Sequence, residues 1–401
     1  MRADTSEVDR TAARWALPVL ASGTFVLGTG EIAVAGLLPA ISADLRVGAG
    51  TAGMLISAYA LAVALAGPVL TAALRHRPRR RVLTIGLGML AAGHGVTATA
   101  TSFPIMVAAR ALTGAGAAVY VAAAVTLATA SVEPGRRGRA IAVVFGGIGV
   151  SMVLGVPLGT LLGNAIGWRP VYGALTVGSV GVLLAAVRLV PRLTVESPAT
   201  LGSQLSALTR PALLVTFAVN AIVTAGHYTV FTYLVVLLSD QTRLGAGAIS
   251  AVLLSYGIAS MVGNGLGGVA ADRGARRTVL VCAALLIASL CALPAVMTAP
   301  VPMWLVGLLW AAAFSGFCTA AQLRVSLQAG PAADVAAATN ISASNTGIAV
   351  GSVVGGLILG RAGMTAVCFC AATLVALGFT IALTSNRPGR LSAAASRSIS
   401  P

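Results

Sequence analysis

The chain contains no lysine, and only 10 of its 401 residues are acidic. Charged residues make up 9% and hydrophobic residues 57%. Soluble domains carry about 25% charged residues, so a soluble fold is excluded and lipid is the expected solvent. Aromatic residues are only 5%, so no crowded aromatic cage for a cation is expected. The five cysteines, Cys282, Cys291, Cys318, Cys368 and Cys370, all lie in apolar segments. Cys368 and Cys370 fall on different helix faces, so neither a metal site nor a disulfide is expected, and the thiols read as packing residues. There is no embedded His/Glu metal pattern, no Ser/His/Asp set and no nucleotide-binding loop. These absences argue against an intramembrane enzyme and an ATP-driven pump, and no cofactor is expected. The first 14 residues are polar and the apolar run after them is long, so a cleavable signal peptide is not expected.

What is present is a series of apolar runs of helix length, far too long for barrel strands. Hydropathy predicts twelve spans: 15–39, 50–74, 82–101, 104–131, 140–163, 170–190, 211–238, 247–271, 278–298, 302–325, 335–360 and 363–384. All 26 basic residues are arginine, and the formal charge of +16 raises the possibility of a nucleic-acid partner. Their placement argues otherwise. With the N-terminus on the cytoplasmic side, 21 arginines fall in inner segments and four in outer loops. That bias predicts both termini inside and accounts for the charge without nucleic acid.

One acid interrupts the first span. Glu31 lies deep within Trp15–Pro39, where a carboxylate costs on the order of 3 kcal/mol to insert. Helical spacing puts Thr24, Gly28, Glu31 and Ala35 on one stripe, with small groups flanking the acid. The expectation is that Glu31 faces a wet cavity and exchanges a proton or cation; a protonated, tolerated acid is the alternative.

The chain repeats itself. A shift of 197 residues lays Arg79-Arg80 on Arg276-Arg277, Val82-Leu83 on Val279-Leu280 and Tyr59 on Tyr256. Two six-helix halves are therefore expected, 1–190 and 211–401, joined by a linker over 191–210. Two such bundles with a site between them is a transporter architecture.

Here the sequence resembles the major facilitator superfamily, and within it the twelve-span drug:proton antiporters. The family's loop motif is matched by Gly268-Val-Ala-Ala-Asp272-Arg273-Gly-Ala-Arg276-Arg277. The first copy, around Arg79 and Arg80, departs: Arg75 stands in place of the acid and Pro78 in place of the second glycine. That variant is similar to the bacterial chloramphenicol, purine nucleoside and arabinose-type exporters. Arg110 and Thr113 in Ala109–Tyr120 resemble the family's span-four motif, with Thr113 in place of glutamine. Gly155-Val156-Pro157-Leu158-Gly159 resembles its antiporter motif, although glycines at 155, 159 and 163 also suit close helix packing.

The resemblance implies an all-α fold with a midplane cavity lined by spans one and four. Glu31 is eight residues from the outer end of its span, about 12 Å, and Arg110 six residues from the outer end of its own, about 9 Å. At similar depth, Arg110 is expected to tune the proton affinity of Glu31; snorkelling to the interface is the alternative. Further cavity candidates are Asn220, His227 and Tyr228 in span seven, Gln322 in span ten, and Asn340 and Asn345 in span eleven. His94 in span three is a lesser one. The expected function is proton-coupled efflux of small organic compounds across a bacterial inner membrane by a monomer, with chloramphenicol-like antibiotics as cargo. Export of nucleosides or sugars, and an uptake permease of the same fold, are the alternatives.

Overall fold

The computed structural model describes residues 4–74, 77–133, 137–190, 209–330 and 333–385. The linker expected over 191–210 lies almost wholly outside the described residues, as do Arg75 and the C-terminal tail. Among the described residues every regular element is helical. In chain order, α1 is Asp4–Asp44; Ala49–Ala52 leads into α2, Met54–Ala73; α3 is Arg79–Thr99 and α4 is Phe103–Ala130. Helix α5 is Arg137–Val150, a π-helical turn Ser151–Gly155, and Val156–Ile166; α6 is Trp168–Leu189. Helix α7 is Pro211–Phe231, continued by Leu234–Val236 and a second π turn, Leu237–Gln241. Ala246–Val296 divides at Gly274 into α8 and α9, Pro300–Ala329 is α10, and Ala333–Thr384 divides at Gly363 into α11 and α12.

Among the described residues ten helices are long and apolar enough to cross a membrane, and two of them are double. A straight helix of 51 residues would run about 75 Å, more than twice the hydrocarbon thickness. Instead each folds back. Gly316 of α10 meets both Gly267 of α8 and Cys282 of α9, which flank the break at Gly274. Ala225 and Gly226 of α7 meet Gly351 of α11 and Ala371 of α12 in the same way, around Gly363. Gly363 turns in the left-handed region at φ 76°, which glycine adopts without strain. The ten apolar helices thus make the twelve passes that hydropathy predicts.

Large apolar side chains point outward all around, among them Val69, Val177, Leu266 and Leu327, each at least 66% exposed. That inversion of the soluble pattern is what lipid requires. Small residues let helices touch in the interior: Gly347, Gly351 and Gly355 of α11 lie against the α7 backbone at Ala221, Ala225 and Thr229.

The repeat is visible in backbone geometry. Arg46 ends α1 and Arg243 ends α7, both left-handed, at φ 53° and 56°. They are 197 residues apart, in Arg46-Val-Gly-Ala-Gly50 and Arg243-Leu-Gly-Ala-Gly247. After α1 the turn is closed by Val47 N–H donating to the Ser42 carbonyl at 3.0 Å, the 6→1 bond of a Schellman cap.

The connections 45–48, 242–245 and 361–363 mark one end of the bundle, here the far end; 77–78, 131–133 and 272–277 mark the near end. The two halves touch through α2 with α11, α5 with α8, and α1 with α7. Hydrogen bonds across this seam lie toward the far end. Ser57 donates to the Ala349 carbonyl at 3.0 Å, and the Tyr233 hydroxyl sits between the carbonyls of Ser352 (2.8 Å) and Gly50 (3.3 Å).

Candidate functional site

Glu31 lies about two-thirds of the way along α1, and Arg110 of α4 and Tyr59 of α2 converge on it. Arg110 of α4 is fully buried. Its Nη1 donates to the Gly30 carbonyl at 2.8 Å, Nη2 to the Glu31 main-chain carbonyl at 3.2 Å, and Nε to the Leu55 carbonyl at 3.4 Å. The guanidinium stands 4.6 Å from the centre of the Tyr59 ring. Tyr59 of α2 donates in turn to Glu31 Oε2 at 3.2 Å. The cation is therefore held by backbone oxygens and a π face, with the carboxylate one group away through Tyr59. Arg110 is enclosed and does not snorkel to an interface.

His94 of α3 completes the back of the site. Ser179 Oγ donates to the Leu175 carbonyl at 2.8 Å, so it accepts from His94 Nδ1–H at 3.1 Å. The other nitrogen, Nε2, presses on α1 at Gly30, where a β-carbon would collide with it. A glycine is required there because Arg110 and His94 both approach the same peptide.

In front of Glu31 is a small pocket lined by Ile32, Ala35, Ile56, Tyr59 and Arg110 of the first half and by Tyr228, Phe231 and Ile348 of the second. Its volume, counted as room for the centre of a water molecule, is about 10 Å³. That is the threshold for one water, so the pocket is closed to any cargo in this conformation.

The other sequence candidates of the first half lie elsewhere. Thr24 donates to the Val144 carbonyl of α5, and Gly28 lies against Ser151. Both therefore serve the α1–α5 contact, and of the expected stripe only Glu31 and Ala35 line the pocket. Thr113 bonds back to its own helix at the Arg110 carbonyl, 2.8 Å, and packs on Gly93.

In the second half the amides bond to one another. Asn220 Nδ2 reaches Asn340 Oδ1 at 2.9 Å and Ser344 Oγ at 2.6 Å, and Asn340 Nδ2 donates to Gln322 Oε1 at 2.7 Å. This chain ties α7, α10 and α11 together nearer the near end. Asn345 Nδ2 donates to the Ile341 carbonyl, leaving its buried Oδ1 without a protein partner. Removing the hub, Asn220→Ala, strips Asn340 Oδ1 of its donor. The expected loss is about 1–3 kcal/mol, read as a lower melting temperature of the detergent-solubilised protein.

His227 and Tyr228 belong to an aromatic cluster that the sequence composition hides. His227 stacks on Phe314 (3.5 Å between centroids, 4° between planes) and on Phe231 (5.1 Å, 21°). Trp310 and Tyr256 close the group. Low aromatic content does not prevent clustering: rings scarce in the chain are gathered from α7, α8 and α10. The pairs 227/231 and 310/314 are each one helical turn apart, a signal the sequence does contain. The repeat holds another. Its shift carries Glu31 to Tyr228 and Tyr59 to Tyr256, so equivalent positions of the two halves stand near the same pocket.

The motif residues sit at junctions. The π turn ending at Gly155 precedes Pro157, which lacks the N–H to continue an α-helical ladder. The turn's Met152 carbonyl lies against Gly257 of α8, so the π turn falls where the halves cross. Gly155 faces Thr29, and Gly159 is in ordinary contact with Ala33 and Val171. At the α8–α9 turn, Asp272 and Arg277 are exposed, Arg273 bonds to the Val269 carbonyl at 3.3 Å, and Arg276 reaches the Leu383 carbonyl of α12 at 2.9 Å. Arg79 and Arg80 open α3 in the corresponding place.

Known proteins share this organisation. The family model described as the Major Facilitator Superfamily matches residues 20–263 and 216–398. The MFS-type transporter YtbD of Bacillus subtilis (strain 168) is 33% identical over 354 residues, 87% of this chain and 89% of that protein. A chloramphenicol resistance protein of Streptomyces lividans is 34% identical over 351 residues, 86% and 89% of the two. The structure of the human organic anion transporter MFSD10 superposes with a TM-score of 0.67 at 18% identity, covering 92% of this chain and 99% of that one. The chain belongs to the Major Facilitator Superfamily, a family of membrane transporters and not of enzymes.

Proposed function

We propose that this transporter exports small uncharged organic compounds in exchange for protons, with Glu31 as the proton carrier. One observation carries the reading. The Glu31 carboxyl sits where the two halves meet, bonded to Tyr59, backed by a buried cation, and closed in by Tyr228, Phe231 and Ile348. When the halves part, those three residues move away with the second half and water reaches the acid. When they close, it is sealed again. A carboxyl wetted in turn from one side and then the other is what proton exchange requires.

The arginine bias supports a near end, and both termini, on the cytoplasmic side, and the bacterial relatives support an inner membrane as the location. Seam bonds concentrated at the far end support an opening toward the near end when the halves part. The halves, 1–190 and 211–401, rock against each other as a monomer, with the π turn before Pro157 at the point where they cross. The chloramphenicol resistance of the Streptomyces lividans relative supports an antibiotic cargo. A membrane potential of 100 mV supplies about 2.3 kcal/mol for each proton charge returned.

Everted membrane vesicles test the direction. With respiration acidifying the lumen, vesicles carrying the transporter are expected to accumulate chloramphenicol and to lose it when a protonophore is added. Accumulation in right-side-out vesicles instead would establish an uptake permease.

A further inference from the structure

The second half holds polar groups that nothing in the protein satisfies, set among rings beside the Glu31 pocket. Trp310 Nε1–H donates to His227 Nδ1 at 3.0 Å. A nitrogen that accepts carries no proton, so the imidazole is neutral and its hydrogen is on Nε2. Among the described residues no partner meets that N–H. The ring cannot swing away, being gripped between Phe231 and Phe314. The Tyr256 hydroxyl, 5.5 Å ring to ring from Trp310, is buried and likewise has no partner. A buried hydroxyl left unmade costs about 1–3 kcal/mol. Phe231 and Tyr228 join this cluster to the pocket wall opposite Glu31.

We infer that His227 and Tyr256 form the cargo-recognition site, donating Nε2–H and O–H to acceptor oxygens of an uncharged aromatic compound whose ring lies against Phe231 and Tyr228. Both protein groups are donors, so the cargo supplies acceptors. The wall is aromatic and carries no charge, so a flat ring is favoured over a sugar. Trp310 is the positioning residue, since its indole fixes which imidazole nitrogen bears the hydrogen. The division of labour follows: the second half recognises cargo, and Glu31, Tyr59 and Arg110 of the first half handle the proton. This rests on the transport reading above, and the two can fail separately.

The experiment is equilibrium binding of chloramphenicol, coumarin and arabinose to the purified full chain. The wild type is expected to bind the two aromatic probes and not arabinose. Tyr256→Phe removes only an unpartnered hydroxyl, so it leaves folding intact, and it is expected to weaken aromatic binding roughly five- to tenfold. His227→Leu is expected to weaken it more than tenfold, and His227→Gln, which can place an N–H near the same point, less than His227→Leu. Trp310→Phe is expected to fall between wild type and His227→Leu. Melting temperatures guard the bulkier changes. Aromatic binding by Tyr256→Phe and His227→Gln equal to wild type overturns the inference, as does arabinose bound in preference to both aromatic probes. Either result leaves the role of Glu31 standing. Conversely, uphill transport by Glu31→Gln with aromatic binding lost in Tyr256→Phe removes the proton reading and keeps the site.

Discussion

Glu31→Gln is expected to abolish uphill accumulation in everted vesicles while leaving the protein at wild-type abundance and still able to exchange cargo across the membrane without a gradient. The amide keeps the shape of the carboxyl and accepts from Tyr59 as the acid does at 3.2 Å. It cannot lose or gain the proton. Arg110 is not orphaned, because three main-chain carbonyls and the Tyr59 ring already hold it. The variant should therefore fold and rock but carry no charge. For an uncharged cargo exchanged one for one with a proton, 100 mV sustains roughly a 50-fold concentration ratio. In Glu31→Gln that ratio is expected to fall to one. Retention of a ratio above ten would end the proposal that this carboxyl couples the proton. Arg110→Lys is expected to damage transport as well, because an ammonium on a flexible stem cannot reach the three carbonyls that a planar guanidinium spans.

Much of this arrangement is legible in the chain, for identifiable reasons. Lipid imposes helix length on every span, so hydropathy places the twelve passes and misses only that two pairs run on through a glycine kink. The rise per residue is fixed, so counting inward from Pro39 and Pro104 brings Glu31 and Arg110 to one depth. What counting does not provide is rotation about each axis. Thr24 shares a helical stripe with Glu31, yet α1 turns it into the α5 contact while Glu31 faces the seam. The amides of α7, α10 and α11 are read as cavity groups, because the sequence cannot show that their best partners are one another. Tyr59 enters the sequence only as a mark of the repeat; its bond to Glu31 depends on α2 lying against α1 at that level. The aromatic cluster is hidden for the same reason, since a 5% aromatic content says nothing about six rings from three helices converging.

The second large effect is expected at the far-end seam, where the Ala49–Ala52 turn leading into α2 touches α11 backbone to backbone. A β-carbon at Gly356 would lie 2.6 Å from the Gly50 carbonyl oxygen and 2.5 Å from the Tyr233 hydroxyl; one at Gly50 would lie 2.5 Å from the Gly356 carbonyl oxygen. Backbone cannot yield as a side-chain tip can, so any larger residue here overpacks the closed seam by on the order of 1–3 kcal/mol. The clash with the Gly50 backbone exists only while the halves are closed at this end, whereas the Tyr233 hydroxyl belongs to the same half as Gly356 and is a side-chain tip that can turn aside. Gly356→Val therefore raises the far-end-open population by roughly 5- to 150-fold, since each 1.4 kcal/mol is a factor of ten. Gly360, one turn further along α11, has nothing within 4 Å and supplies the control. With the five native cysteines replaced, a Ser57→Cys probe sits inside the seam, where Ser57 is 7% exposed. Its labelling by a membrane-impermeant thiol reagent from the far side is expected to accelerate many-fold with Gly356→Val and to stay unchanged with Gly360→Val. Equal rates in all three backgrounds would mean that the α2–α11 contact does not gate this end, and that the glycines serve packing within each half alone.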